Sequence, residues 1–454
     1  MKHSITATVN KGIISLIKRA LFCGVTLFLS LSIYAQDIEQ EKIDHFIDYI
    51  EQNNRAVGSI SIFKGNTEIY YRDFGQQNIQ DLQFDKHTTY QIASISKMVT
   101  ATLVFKLIEE KKLNLQDKLA AFFPDMPDAK KITIEQLLNH TSGLGDVNFH
   151  NGVYGWLKER EVTDKEMLAE IKKTGVLFSP GTSMSYSNSA YFLLGKIIEQ
   201  KYQMAYKDIL QNYIATPLNL HDFRLVNSSQ NYFDSYRYTD NSWQPEQDYI
   251  SKYIIGYTGI SSTTTEMNKL NYALFHGKII SKESVELMKP AADSYFGRGM
   301  MKVPFYEVIM YGHGGDTTGS HTLLTYNEKN DLSIAMAING NRSVKSDFYV
   351  GIFNAIYNGN MPYPIFISDE ILNQYSGIYE STDYPFKIKI YNEGGSLYGL
   401  GMEEEQIPFL LKPTSDTEFN FENHLQIKFN PADGTMLFKE GNENYEFIKE
   451  KTSV

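Results

Sequence analysis

A serine, a lysine, a tyrosine and a histidine stand in three short phrases whose order and spacing could support acyl transfer. The phrases are Ser94-Ile95-Ser96-Lys97, Tyr186-Ser187-Asn188 and His313-Gly314-Gly315. A serine hydroxyl is a weak nucleophile until a neighbouring base takes its proton. Polar Thr88-Thr89-Tyr90-Gln91 leads into the first phrase, and an apolar helical face follows through Met98, Ala101, Leu103, Val104, Leu107 and Ile108. This pattern predicts that Ser94 opens a helix and that Lys97 lies one turn later on the same face. Helix-terminal N–H groups would favour a developing oxyanion and disfavour charge on Lys97, leaving a base for the serine proton. The bland alternative is a helix cap followed by a surface lysine. In the second phrase, a phenol beside a cation can act as a general base, and an amide can hold a substrate carbonyl. A buried tyrosine at a helix start fits it equally. In the third, an imidazole sits beside bare backbone that a substrate can approach closely, or beside a tight turn with no further role.

The first phrase is weak by itself, because S-x-x-K arises by chance about twice in a chain of this length. Ser15-Leu16-Ile17-Lys18 also matches but lies in a leader-like segment. Ser61-Ile62-Phe63-Lys64 matches on an expected strand, where side chains three apart face opposite ways. Lys173-Thr174-Gly175 ends the helical stretch Lys165 to Lys172 instead of entering a strand pair.

Elements must bring these phrases together. Residues 37–55 read as an amphipathic helix through Ile38, Ile43, Phe46, Ile47 and Ile50. Val57 to Phe63 and Glu68 to Arg72 alternate around Gly65-Asn66, a β-hairpin pattern. Residues 94–220 are mainly helical, and strands return from about 294, with Ser320 to Tyr326 and Leu332 to Ile338 around a polar turn. The expected fold is α/β (α+β): a sheet built from both ends of the segment, with helices inserted between. Met361-Pro-Tyr-Pro364 reads as a linker. Beyond it, seven or eight short alternating runs, such as Phe386 to Ile390 and Leu425 to Phe429, predict a small antiparallel barrel or sandwich. The expected division is residues 1–35 as a signal peptide, 37–360 as the catalytic domain and 366–454 as the β domain.

Composition narrows the class. Of 454 residues, 42% are apolar and 21% charged, a globular balance. The net charge is -11. Without Lys2, Lys11, Lys18 and Arg19 the balance is 39 bases against 54 acids, or -15, which argues against nucleic acid or anionic lipid as the main partner. The basic start, the uncharged run Ala20 to Ile33 and Ala35 before polar sequence read as a secretory signal cleaved after Ala35. At 14 residues the run is shorter than the ~18 that spanning requires. A periplasmic or extracellular protein with no membrane span in the mature chain is expected. The single cysteine, Cys23, lies in this run, so the mature chain would carry no disulfide, Cys nucleophile or thiolate metal site. No H-E-x-x-H or other metal spacing occurs, so neither metal nor cofactor is expected.

Together the three phrases resemble the serine β-lactamase and penicillin-binding protein superfamily, and within it the class C-like branch of D-alanyl-D-alanine carboxypeptidases, esterases and D-amino-acid peptidases. Gln136 to Leu144, Pro180-Gly181-Thr182 and Gly259 to Thr263 are also similar to phrases of that family, over roughly residues 40–360. The resemblance implies the β-lactamase/transpeptidase-like fold, followed by a lipocalin-like β module. It implies Ser94 as the acylated nucleophile, Lys97 as its activator and Tyr186 as the acid and base of leaving-group departure and deacylation. It implies Asn188, His313, Gly315 and Asp316 as substrate-binding positions, with the Ser94 and Asp316 N–H groups as the oxyanion hole. Asn148 is a further candidate for lining the pocket, and His140 is read as structural. His313 departs from the commoner lysine: histidine titrates near ~6.5 and would hold a substrate carboxylate less firmly. The implied activity is an exported serine hydrolase, a D-alanyl-D-alanine carboxypeptidase-like or D-amino-acid-specific peptidase. Carboxylesterase, class C-like β-lactamase and a penicillin-binding receptor with little turnover are the alternatives.

Overall fold

The computed structural model describes residues 38–79, 84–150, 162–226, 233, 235–239, 242–246, 254–317, 319–403, 407–421 and 425–450. The expected signal peptide and Cys23 lie outside them.

Helix α1 (Gln40–Gln52) buries Ile43, Phe46, Ile47 and Ile50, one stripe at helical spacing. The hairpin of β1 (Ala56–Lys64) and β2 (Thr67–Phe74) follows. The helical middle is led by α2 (Ser96–Glu109) and α3 (Asn188–Tyr202), which pack together in the largest apolar cluster. Helix α4 (Thr264–Phe275) then leads to β3 (Met301–Phe305), β4 (Val308–Asp316), β5 (His321–Asn327) and β6 (Leu332–Asn341). Helix α5 (Lys345–Tyr357) ends this part. The sheet order is β2-β1-β6-β5-β4-β3, so the two ends of the segment meet where β1 pairs with β6, as the sequence pattern requires. A hairpin of Ser235–Thr239 and Ser242–Glu246 joins the end of β6.

Strand β1 is buried almost throughout because helices cover both faces of the sheet. Its Ser59 and Ser61 meet Thr264 and Asn268 of α4, so by the strand's two-residue period Ile60 and Ile62 face the side of α1 and α5. There Phe46 and Phe348 pack with ring centroids 6.0 Å apart. Ser61, the second S-x-x-K match, binds Glu68, and its Lys64 binds the Asn330 carbonyl. Lys173-Thr174-Gly175 ends a helix over Asp164–Thr174.

The C-terminal part is a closed eight-stranded barrel, from Gly377–Glu380 to Glu443–Lys449, sealed by pairing of Tyr379 with Lys449. Strand Leu425–Asn430 shows its logic: Leu425, Ile427 and Phe429 point inward and Gln426 and Lys428 outward. The interior is filled by side chains such as Ile388, Phe419, Phe438 and Phe447, with Tyr375 of helix α6 (Asp369–Tyr375) stacked on Phe429. Two arginines clamp this barrel to the rest. Arg55 donates to the carbonyls of Gly395 (2.8 Å) and Ile367 (2.7 Å). Arg342 donates to Gly394 (3.2 Å) and pairs with Asp369 (2.5 Å).

Candidate active site

The first phrase does not open α2 directly. Ala93–Ile95 form one 3-10 turn, and α2 starts at Ser96. Ala93 adopts φ 46°, a left-handed conformation that costs a non-glycine residue roughly 1–2 kcal/mol. The turn is pinned on both sides: Ile92 N–H bonds to Ile260 (2.9 Å) and its carbonyl accepts from Thr322 Oγ1 (3.1 Å). Ser94 is therefore held half-buried at the mouth of a cleft of about 560 Å³, while Lys97 is wholly buried behind it.

Lys97 Nζ has three oxygen neighbours: Ser94 Oγ at 2.9 Å, Asn188 Oδ1 at 2.8 Å and the Tyr257 carbonyl at 3.2 Å. The two carbonyl oxygens can only accept. A neutral amine spends its two hydrogens on them, so its lone pair is left facing the Ser94 hydroxyl. Burial holds the ammonium well below the ordinary lysine range, with the Asp146 carboxylate opposing that shift. The rings of Tyr186, Tyr257 and Tyr191 surround Nζ at 4.7, 5.4 and 5.8 Å. The amide of Asn188 is oriented by Asp146, whose Oδ2 accepts from Nδ2 at 2.9 Å.

Tyr186 lies one residue before Ser187, the N-cap of α3, whose hydroxyl accepts from Ala190 N–H. Its ring packs on His140 (4.5 Å) and Phe296 (5.6 Å). His140, in a left-handed conformation at φ 62°, accepts the Ser187 N–H at Nδ1 (3.1 Å). It thus positions the second phrase, in keeping with its structural reading. Burial holds it well below the usual histidine value.

The third phrase lies on β4. Gly315 has no room for a side chain: a Cβ there would lie 2.3 Å from the Ile92 carbonyl oxygen and 3.0 Å from Ser94 N. This close approach brings β4 against the Ser94 turn. Thr317 N–H bonds to Ser320, so ladder alternation pairs Gly315 with Thr322 and turns the Asp316 N–H toward the other edge. Strand β3 pairs no further than Gly312, so that edge is open. The expected pair of Ser94 and Asp316 N–H groups is thus borne by adjoining backbone. The Asp316 side chain turns to His321 Nδ1 (2.7 Å) and Lys345. Burial alone would raise its carboxyl, but these two neighbours hold it below the usual value.

His313 requires a correction. The sequence comparison with lysine treated it as a group titrating near the ordinary value. It is 3% exposed, and burial, aided by the Lys97 charge, pushes it down to about 3. Its Nδ1 donates to the Gly314 carbonyl (2.5 Å), which leaves Nε2 as an acceptor. His313 is a neutral imidazole at physiological pH and supplies no cation.

Ser94, Tyr186, Asn188, His313, Gly315 and Asp316 all line the one cleft, and Lys97 touches it through Ser94. Asn148 is buried behind the wall, its Oδ1 3.4 Å from the Tyr257 hydroxyl. Sequence reasoning missed Tyr257, which serves through its carbonyl, and Asp146, whose only signal was a turn-forming D-x-N beside the Gln136 to Leu144 phrase. It also missed the apolar far wall, formed by Val303 and Phe305 of β3 and Tyr349, Val350 and Phe353 of α5.

The chain belongs to the beta-lactamase family, whose model matches residues 40–357. It is a serine hydrolase of that family. It is similar to a penicillin-binding protein of Bacillus subtilis (strain 168), 26% identical over 55% of this chain and 59% of that protein. It is similar also to the teichoic acid D-alanine hydrolase of Staphylococcus aureus (strain MRSA252), 25% identical over 72% of this chain and 80% of the relative. The octameric penicillin-binding protein homologue from Pyrococcus abyssi shares the fold at a TM-score of 0.67 and 22% identity, over 90% of this chain and 99% of that one.

Proposed function

We propose that the protein is an exported hydrolase that removes D-aminoacyl groups from esters or amides through an acyl-enzyme on Ser94. The observation that carries the reading is the buried Lys97, whose two carbonyl partners direct its lone pair at Ser94 Oγ. Ser94 Oγ attacks the substrate carbonyl carbon, and its proton passes to Lys97 Nζ. The tetrahedral oxyanion lies between the Ser94 and Asp316 N–H groups. Tyr186 protonates the leaving oxygen or nitrogen as the bond breaks. In the second half it takes a proton from water, which attacks the acyl carbon, and Ser94 departs as Lys97 returns its proton. The mature chain is proposed to begin at Gln36 and to act in the periplasm or outside the cell, for which the Ala20 to Ile33 run is the support.

Charge chooses among substrates. Among the described residues lining the cleft, the cation Lys345 is engaged by Asp316, and His313 is neutral. A carboxylate at the end of a peptide finds no unpaired cation there, which favours a D-aminoacyl ester or amide over a carboxypeptidase substrate. The relative that removes D-alanine from teichoic acid agrees in chemistry. The apolar wall of Val303, Tyr349 and Val350 supports a second reading, a carboxylesterase for neutral acyl groups. The test is turnover of D-alanyl and L-alanyl p-nitroanilides, D-alanyl esters, acyl-D-Ala-D-Ala and plain p-nitrophenyl esters, with Ser94→Ala as control. D-selective release lost in Ser94→Ala supports the proposal. Faster cleavage of plain esters supports the esterase, and preference for the free-carboxylate peptide refutes the charge argument.

A further inference from the structure

We propose that Asp146 is a positioning residue for acylation: its carboxylate fixes the Asn188 amide, a carbonyl acceptor of Lys97, and so aims the amine at Ser94. This rests on the Ser94 reading above. Asp146 Oδ2 accepts from the backbone N–H of Asn188 at 2.8 Å and from its Nδ2 at 2.9 Å. The amide therefore cannot turn, and Oδ1 stays on Lys97. Asp146 Oδ1 accepts the N–H of Asn148 at 2.7 Å. The Asn148 side-chain oxygen in turn accepts from the Tyr257 hydroxyl at 3.4 Å, and the Tyr257 carbonyl is the other acceptor of Lys97. Three N–H groups from two segments converge on one carboxylate. Ser189 Oγ accepts from Val147 N–H (2.9 Å) and ties the same loop to α3.

The carboxylate also acts through space. Lys97 is faced by His140 and Asp146 from the loop, Tyr191 from α3, Tyr186 just before it, His313 from β4 and Tyr257. Both histidines are held neutral by burial, and burial raises the Tyr191 phenol well above its ordinary value. Asp146 is therefore the anion of this group, and its charge favours protonated Lys97. Loss of that charge lowers the pH at which Lys97 becomes a free base. Loss of the acceptor geometry lowers the rate once it is free.

The two effects separate in a pH profile. The assay is labelling of Ser94 by a fluorophosphonate, followed by intact mass from pH 5 to 9, with thermal melts run alongside. In Asp146→Asn the plateau rate should fall about 10–100-fold, the cost of a slightly misaimed group, and the acid limb should move to lower pH. Asp146→Glu keeps the charge with displaced oxygens. It should lose plateau rate while its acid limb stays at the wild-type position. A limb that moves equally in both variants overturns the electrostatic part, and Asp146→Glu alone decides this if Asp146→Asn does not fold. A plateau within twofold of wild type in either variant overturns the positioning role, as does a lowered melting temperature with an unchanged profile. An unlabelled wild type overturns the Ser94 reading and this inference together, whereas a labelled wild type isolates failure to Asp146.

Discussion

Replacing Lys97 with methionine tests the base and its cost at once. Methionine keeps the apolar stem and removes the amine, so Asn188 Oδ1 and the Tyr257 carbonyl lose their donor. Without a general base, acylation should fall about 10²–10⁴-fold. The thermodynamic consequence is less obvious. In the unfolded chain Lys97 titrates near ~10.4, but in the fold burial holds it well below that. Between the two values the unfolded state carries a proton that the folded state lacks. Stability must then rise with pH, by about 1.4 kcal/mol per unit. The sign is set by the depressed value: this lysine destabilises the fold below ~10.4, and the penalty fades as pH approaches that value. Lys97→Met removes this slope. From pH 8 to 9.5 the wild type should gain stability relative to the variant. The orphaned carbonyls cost about 1–3 kcal/mol each, but they do not titrate, so they offset the curves without changing the slope. Urea unfolding of both proteins across that range measures the difference directly. Parallel stability curves would refute the claim that Lys97 is held unprotonated, and near-wild-type Ser94 labelling would refute its role as base.

Three further outcomes follow from the site and the clamp. His313, pushed to about 3, should show no imidazole titration from pH 5.5 to 8 in ¹⁵N spectra, and a midpoint near the ordinary ~6.5 would refute its burial as a neutral group. Tyr186→Phe should still be acylated by p-nitrophenyl esters, whose leaving group needs no proton, but deacylate about 10²–10⁴-fold more slowly. The acyl-enzyme should then accumulate in intact mass spectra, and unchanged steady-state turnover would assign the second proton transfer elsewhere. Arg55→Ala removes two charged hydrogen bonds, one to the barrel carbonyl of Gly395 and one to Ile367 in the segment that leads into it, and the stacking on Phe366 at 4.7 Å. At about 1.5–3 kcal/mol per bond, a loss of about 3–6 kcal/mol should loosen the barrel while Ser94 labelling survives. Unchanged resistance of the 358–376 segment to proteolysis would count against the clamp.

The residues that do chemistry through side chains were legible because their types and order are restrictive: Ser94, Lys97, Tyr186, Asn188 and His313 converge on one place. The sheet was legible as well, since Val57 to Phe63 and Leu332 to Ile338 carry a strand's period. What stayed hidden depends on distant contacts. Tyr257 acts through a carbonyl, which every residue has, so its type gave no signal. Asp146 looked like one more turn residue until α3 was laid against it. Ser94 was placed at a helix start, but the close approach of Gly315 and the bonds at Ile92 hold it in a 3-10 turn just before one. Barrel and sandwich share the same alternation. Only the pairing of Tyr379 with Lys449, some seventy residues apart, closes the barrel.

The misreading of His313 exposes the electrostatic plan of the site. A histidine in place of lysine looked like a weaker, pH-dependent cation. Yet Lys97, His140 and His313 share one buried region, where desolvation lowers all three. A second permanent cation on β4 would add its repulsion to the same lysine and press its value lower still. A neutral His313 leaves that setting to Asp146, the carboxylate that also holds the amide of Asn188. The positive potential needed by the oxyanion then falls to the backbone N–H groups of Ser94 and Asp316, which carry no titratable charge. On this plan, substitution of His313 by lysine should trade base strength at Lys97 for carboxylate affinity in the cleft. The acid limb of Ser94 labelling should move to lower pH while acyl-D-Ala-D-Ala binds more tightly. A variant that changes only one of the two would show that the third phrase and the Ser94–Lys97 pair are not coupled.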